Sequence, residues 1–139
     1  MDIVREYLIN LTKGFSMIPE TITIDETKYV RADTALKMAE RIDGLEYKIV
    51  RTYAAGVFAG YVKEFDRATR SAVVLQARRI WMWKGAASLS QLAVDGTSCP
   101  SECKFPCEVS SIELLRVEEI LSVTDKAQKS IKGVSVWAK

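Results

Sequence analysis

Gly56-Val57-Phe58-Ala59-Gly60-Tyr61-Val62 reads as a β-strand with a glycine in its middle, and the residues around it decide the fold. Glycine inside a strand marks a bulge or a sharp bend, as at the corner of a barrel. On its N-terminal side, residues 46–54 have strand character and Ala54-Ala55-Gly56 makes a turn. On its C-terminal side the strand runs to Glu64, and Phe65-Asp66-Arg67-Ala68-Thr69-Arg70 is a polar connection to a third, long strand over residues 71–83. Three strands joined by short connections form an antiparallel meander.

Outward from the meander the pattern changes period. Residues 2–13 place Ile3, Val4, Tyr7, Leu8 and Leu11 at helical spacing, with Gly14 as the stop. Thr21–Asp25 and Lys28–Arg31 alternate polar with apolar around a short polar turn, which predicts a hairpin. Asp33 is placed to cap a helix through about Ile42, closed by Gly44. Beyond the meander, Ser88 caps a short helix ending before Gly96, and residues 97–107 form a loop rich in Cys, Pro and Ser. Glu108–Val123 reads as one long, bulged strand. Thr124-Asp125 caps a last helix through Ile131, Gly133 stops it, and Val134–Trp137 adds a short strand. The expected class is α+β, with residues 1–45 packed on a β-rich core at 46–139 to give one compact domain.

The meander's glycine, the acidic Asp66 in the next turn and the run Val73-Val74-Leu75 resemble the strand pattern of Sm-like and SH3-like small barrels. The resemblance covers roughly residues 46–83. It implies a small, strongly bent, barrel-like antiparallel sheet, a homo-oligomer built through edge strands, and affinity for nucleotides or RNA. The same spacing also suits any other α+β meander.

Composition removes whole classes of chemistry. The 139 residues contain no histidine, which excludes Ser-His-Asp and Cys-His nucleophiles, histidine general acid–base catalysis and histidine metal ligation together. With 48% apolar and 27% charged residues, the chain has the mix of a folded soluble domain. A net charge of +2 gives no global attraction to nucleic acid or to an anionic membrane. No apolar run is long enough to span a bilayer, and Met1–Glu6 carries charges that rule out a signal peptide, so a cytoplasmic protein without membrane contact is expected.

The segment Arg78-Arg79-Ile80-Trp81-Met82-Trp83-Lys84-Gly85 holds the candidate site. On a continuous strand Arg79, Trp81 and Trp83 share one face. Two indoles beside a guanidinium can stack a planar base and pair a phosphate. Lys84, Ser88 and Ser90, at the start of the next helix, add a cation and donors for an anion. Arg51 and Tyr53, on a neighbouring strand, complete a basic, aromatic-lined pocket. The competing reading makes the tryptophans core residues and the arginines structural. Cys99, Cys103 and Cys107 lack the two-residue spacing of zinc sites and a histidine partner, so a reduced structural loop is expected, with neither metal nor cofactor. Glu118 and Glu119 fall on opposite strand faces and make no acid–base pair.

Thr52-Tyr53-Ala54-Ala55-Gly56-Val57, then Ala77 to Ala86, then Ser88-Leu89-Ser90-Gln91-Leu92-Ala93 resemble a family of small, uncharacterised proteins of tailed phages and prophages. The similarity spans about residues 48–137 and includes Cys103-Lys104-Phe105 and Val136-Trp137. It carries no catalytic residues. It implies a phage-encoded, non-enzymatic protein of the host cytoplasm, and by analogy one that sequesters a nucleotide-like immune signal such as a cyclic ADP-ribose variant or a cyclic oligonucleotide. A nucleic-acid-binding regulatory module and a virion structural or assembly protein are the alternatives.

Overall fold

The structure is a computed structural model that describes the strand backbone of residues 21–24 and 27–30 and all of residues 36–139. The chain forms two compact units, Met1–Lys37 and Met38–Lys139. In the first, β1 (Thr21–Ile24) pairs antiparallel with β2 (Thr27–Val30), Thr21 opposite Val30 and Ile24 opposite Thr27, which is the expected hairpin. The helix expected over residues 2–13 and the Asp33 cap lie outside the described residues.

In the second unit, β3 (Tyr47–Thr52), β4 (Val57–Asp66), β5 (Ser71–Arg79), β6 (Glu108–Leu114) and β7 (Val117–Ser122) form one antiparallel sheet in the order β6-β5-β4-β3-β7. The central three strands are the meander read from the sequence. Helix α1 (Leu89–Asp95) follows β5 and helix α2 (Asp125–Gly133) follows β7. Ser88 caps α1 by accepting from the Gln91 amide, and Thr124 caps α2 by accepting from the Ala127 amide, both as expected. No helix among the described residues is long and apolar enough to cross a membrane.

Four expectations need correction. The short strand expected over Val134–Trp137 is a single bridge between Val136 and Phe105. The single strand over Glu108–Val123 is two, broken at Leu115-Arg116, where Arg116 adopts φ 54°. Its halves lie on opposite edges of the sheet. Three Cα steps from Leu114 to Val117 reach at most about 11 Å, whereas the outer strands of a flat five-stranded sheet stand about 19 Å apart. The sheet therefore curls until its edges approach at this corner, although no ladder joins β6 to β7 and the sheet stays open. The strand expected to reach Trp83 stops at Arg79. β4 begins at Val57, so pairing runs out once the Ile80 amide donates to the Val57 carbonyl, and the amides of Trp81 and Met82 turn instead to the Lys104 carbonyl. Residues 36–42 hold no helix. Met38 bridges Thr124, and Ile42 and Leu45 exchange both backbone hydrogen bonds around Asp43-Gly44, a strong signature of a tight hairpin turn.

Strand alternation sorts the core into two layers. Val50, Phe58, Ala72, Val74, Ala77, Leu114 and Val117 fill the concave face of the sheet. Ile49, Ala59, Tyr47 and Tyr61 line the other face under Leu92, Ala93, Ala127 and Ile131 of the helices. The β4–β5 register shifts twice, at Gly60 and at Lys63. Ala59 pairs with Arg78 and Tyr61 with Leu75, so Gly60 alone opposes Gln76 and Ala77 in a β-bulge. A Cβ on Gly60 would stand 2.6 Å from Val74 Cγ1 and 2.8 Å from the Leu75 carbonyl oxygen. Gly60→Ala is expected to lower stability by about 2–3 kcal/mol through overpacking, read from the urea midpoint. A loss below about 0.5 kcal/mol, the size of an ordinary surface change, would show that β4 and β5 can part at no cost.

Candidate functional site

The expected site residues separate. Arg51 pairs across β3–β4 with Val57, and Arg79 pairs across β4–β5 with Phe58. Val57 and Phe58 are adjacent, so the two arginines stand at the same end of the sheet on opposite faces. Arg51 Nε donates to Glu119 at 2.8 Å. Arg79 lies over the Phe58 ring, 4.3 Å from its centroid, and donates to the Ala55 carbonyl, closing the end of the concave layer. Tyr53 is 64% exposed, with the Arg116 guanidinium 3.8 Å above its ring.

The tryptophans part as well. Trp81 is 63% exposed, whereas Trp83 is half-buried and packs against the layer beneath the helices. Lys84 is exposed, 3.6 Å from Glu102. Ser90 is exposed, and the Ser88 hydroxyl is engaged as the α1 cap. The loop after Trp83 is held by close approach: a Cβ on Gly85 would lie 2.5 Å from the Cys99 amide. Cys103 is buried with its sulfur 3.5 Å from the Lys84 amide, while Cys99 is half-buried and Cys107 exposed. Among the described residues no group of acidic or cysteine side chains is arranged to hold a metal ion.

Two other places gather chemistry. The first is a groove of about 550 Å³ lined by Lys48, Val62, Phe65, Arg67, Arg70, Val117, Glu118, Glu119 and Ile120. Val62 opposes Val74 and Ile120 opposes Val50, so its floor is the unclosed part of the concave face. Its rim carries three cations, Lys48, Arg67 and Arg70, and two carboxylates, Glu118 and Glu119. Arg67 stands 5.7 Å from the Phe65 ring centroid and has no carboxylate partner among the described residues. Arg70 meets Glu118 only at 3.8 Å, and Lys48 binds Glu46 at 2.8 Å and Ser122 at 3.1 Å. Exposed pairs of this kind are worth little and yield to a better partner. Sequence reading passed over the groove because Phe65 to Arg70 looks like an ordinary polar connection. The available signal was an aromatic two residues before one arginine and five before another.

The second place surrounds Arg78, which is only 6% exposed. Its Nε donates to the Pro106 carbonyl at 3.1 Å, Nη1 to Ile131 at 2.9 Å and Nη2 to Phe105 at 3.1 Å. One guanidinium thus ties β5 to the loop before β6 and to the last turn of α2, where a cation also complements the helix dipole. Burial pulls its pKa below the usual arginine value, yet arginine stays charged in proteins. Beside it, burial pushes the Tyr47 phenol well above its ordinary range, so Tyr47 remains a protonated donor. Two substitutions separate these roles. Ser88→Ala should cost about 1 kcal/mol, the value of an N-cap, and Arg78→Met about 3 kcal/mol or more, by stranding three carbonyls. Both are read by urea denaturation, and equal losses would deny Arg78 its stapling role.

Residues 45–131 match one protein family, and the match takes in all five strands of the large sheet, α1 and most of α2. No curated protein matches the chain, and no solved structure does. The matched segment is more than half of the sequence, and the chain therefore belongs to the family described as Domain of unknown function (DUF6948).

Proposed function

We propose that this protein is a non-enzymatic binding module for a nucleotide-like anion, held in the groove on the concave face. One observation carries the reading: the groove joins an apolar floor and an aromatic ring to three cationic side chains, Lys48, Arg67 and Arg70, which outnumber the carboxylates of Glu118 and Glu119. Its volume lies within the range of small-molecule sites. A planar base has Val62, Phe65 and Ile120 to lie against. Its phosphates have Arg67, with no carboxylate partner among the described residues, and Arg70, whose contact with Glu118 is long. The missing histidines support binding over catalysis.

In this reading the curled sheet is an open small barrel of the Sm-like or SH3-like kind, working as a homo-oligomer. The resemblance to phage and prophage proteins extends it to a role in the host cytoplasm, the sequestration of a nucleotide immune signal. The exposed Trp81 and Tyr53 offer the alternative stacking surface, with Arg51, Arg79 and Lys84 as its cations and Trp83, Ser88 and Ser90 around it.

A thermal-shift panel of linear and cyclic adenine and guanine nucleotides tests this. At a hundredfold excess over Kd a ligand adds about 2.7 kcal/mol, or roughly 10 °C in Tm for a chain of this length. Arg67→Glu should abolish the gain and Trp81→Ala should leave it. The reverse pattern would move the site to the Trp81 surface. A flat response to the whole panel, or retention of single-stranded RNA without any mononucleotide response, would overturn the proposal.

A further inference from the structure

On the face of the sheet away from the groove, a cavity of about 330 Å³ is lined by Tyr47, Arg78, Glu108, Lys132, Val134 and Val136. Tyr47 belongs to the layer beneath the helices, whereas the groove opens on the layer of Val50 and Phe58. The two places are therefore distinct.

This cavity sets two cations against one carboxylate. Arg78 uses three N–H groups on neutral carbonyls, leaving two of the five a guanidinium carries. No carboxylate among the described residues comes within ion-pair distance of it. Lys132 donates to the Tyr61 hydroxyl at 2.7 Å and lies 5.4 Å from the Tyr47 ring centroid, likewise with no carboxylate partner among the described residues. Glu108 is the acidic residue of the lining. It opposes Arg78 in the β5–β6 register, so their side chains leave the sheet on the same face, yet it stays outside ion-pair distance of both cations. A buried cation bonded only to neutral groups is costly unless charge compensation is supplied.

We infer that this cavity is a second binding site, one that takes a small organic carboxylate. The free N–H groups of the Arg78 fork suit a planar carboxylate, the Lys132 ammonium supplies a second charge-assisted donor, and Val134 and Val136 wall in a short apolar body. The Tyr47 phenol adds a neutral donor. The Glu108 carboxylate opposes any bound anion and so lowers the affinity that Arg78 and Lys132 provide.

Benzoate is a suitable probe, titrated into the full-length protein and followed by amide chemical shifts. The expected result is saturable shifts confined to residues near 47, 78, 108 and 132–136, and none with benzamide, which keeps the shape and lacks the charge. Lys132→Gln, at an exposed position, should weaken binding about tenfold, the loss of one charge-assisted hydrogen bond. Glu108→Gln should tighten it several-fold, and Arg67→Glu in the groove should change nothing. No shifts with benzoate at tens of millimolar would overturn the assignment, as would an equal response to benzamide. Affinity unchanged in both Lys132→Gln and Glu108→Gln would overturn it too. None of these outcomes depends on whether the groove binds a nucleotide.

Discussion

The amide of Val117 donates to the carbonyl of Arg70 at 2.9 Å, while Val117 itself stands opposite Thr52 at the end of β3. One residue thus touches the start of β5 and the end of β3, strands that β4 separates. Everything else in the second unit follows from that corner. The sheet has to curl, and its ladders shift register at Gly60 opposite Gln76 and Ala77, at Lys63, and between Arg51 and Thr52. Curling turns one face inward around Phe58, Val74 and Leu114, and it leaves the other face convex, to be covered by α1 and α2. The groove is the stretch of concave face that the corner does not close.

Much of this was legible in the sequence because it was local. The meander, the bend at Gly60, the Ser88 and Thr124 caps and the hairpin over residues 21–30 each depend on a few adjacent residues. What was not legible was partnership. Nothing in Leu114-Leu115-Arg116-Val117 marks a turn by composition. Leu114 and Val117 are buried while Leu115 is 61% exposed, a break created by the two sheet edges competing for the chain. In the same way Trp81 and Trp83 alternate as a strand should, but β4 has no backbone left to pair with them. Their neighbour Lys104 takes over, from a loop that periodicity cannot place.

The expected site residues disperse for a related reason. Arginines and aromatics concentrated in one segment suggested one pocket, yet several of them serve the fold. Arg78 binds three carbonyls, Arg79 covers Phe58 and Trp83 packs under the helices. The groove instead draws Lys48 from β3, Arg67 and Arg70 from the β4–β5 connection and Glu118 from β7, three separate places in the chain. Their convergence is a property of the curl, and it becomes visible only once β7 is seen to return beside β3.

Thr124 couples the two helices. Its hydroxyl accepts from the Ala127 amide at the start of α2 and donates to the Val94 carbonyl, while its amide donates to Ala93. Gln128, one turn further on, binds both backbone groups of Glu40 and reaches the Tyr61 hydroxyl. The last turn of α1 and the first turn of α2 are therefore held by one side chain, which engages a carbonyl of the first helix and caps the second. In hydrogen exchange the two short helices would behave as a single opening unit with the segment around Glu40, although each is too short to persist alone in water.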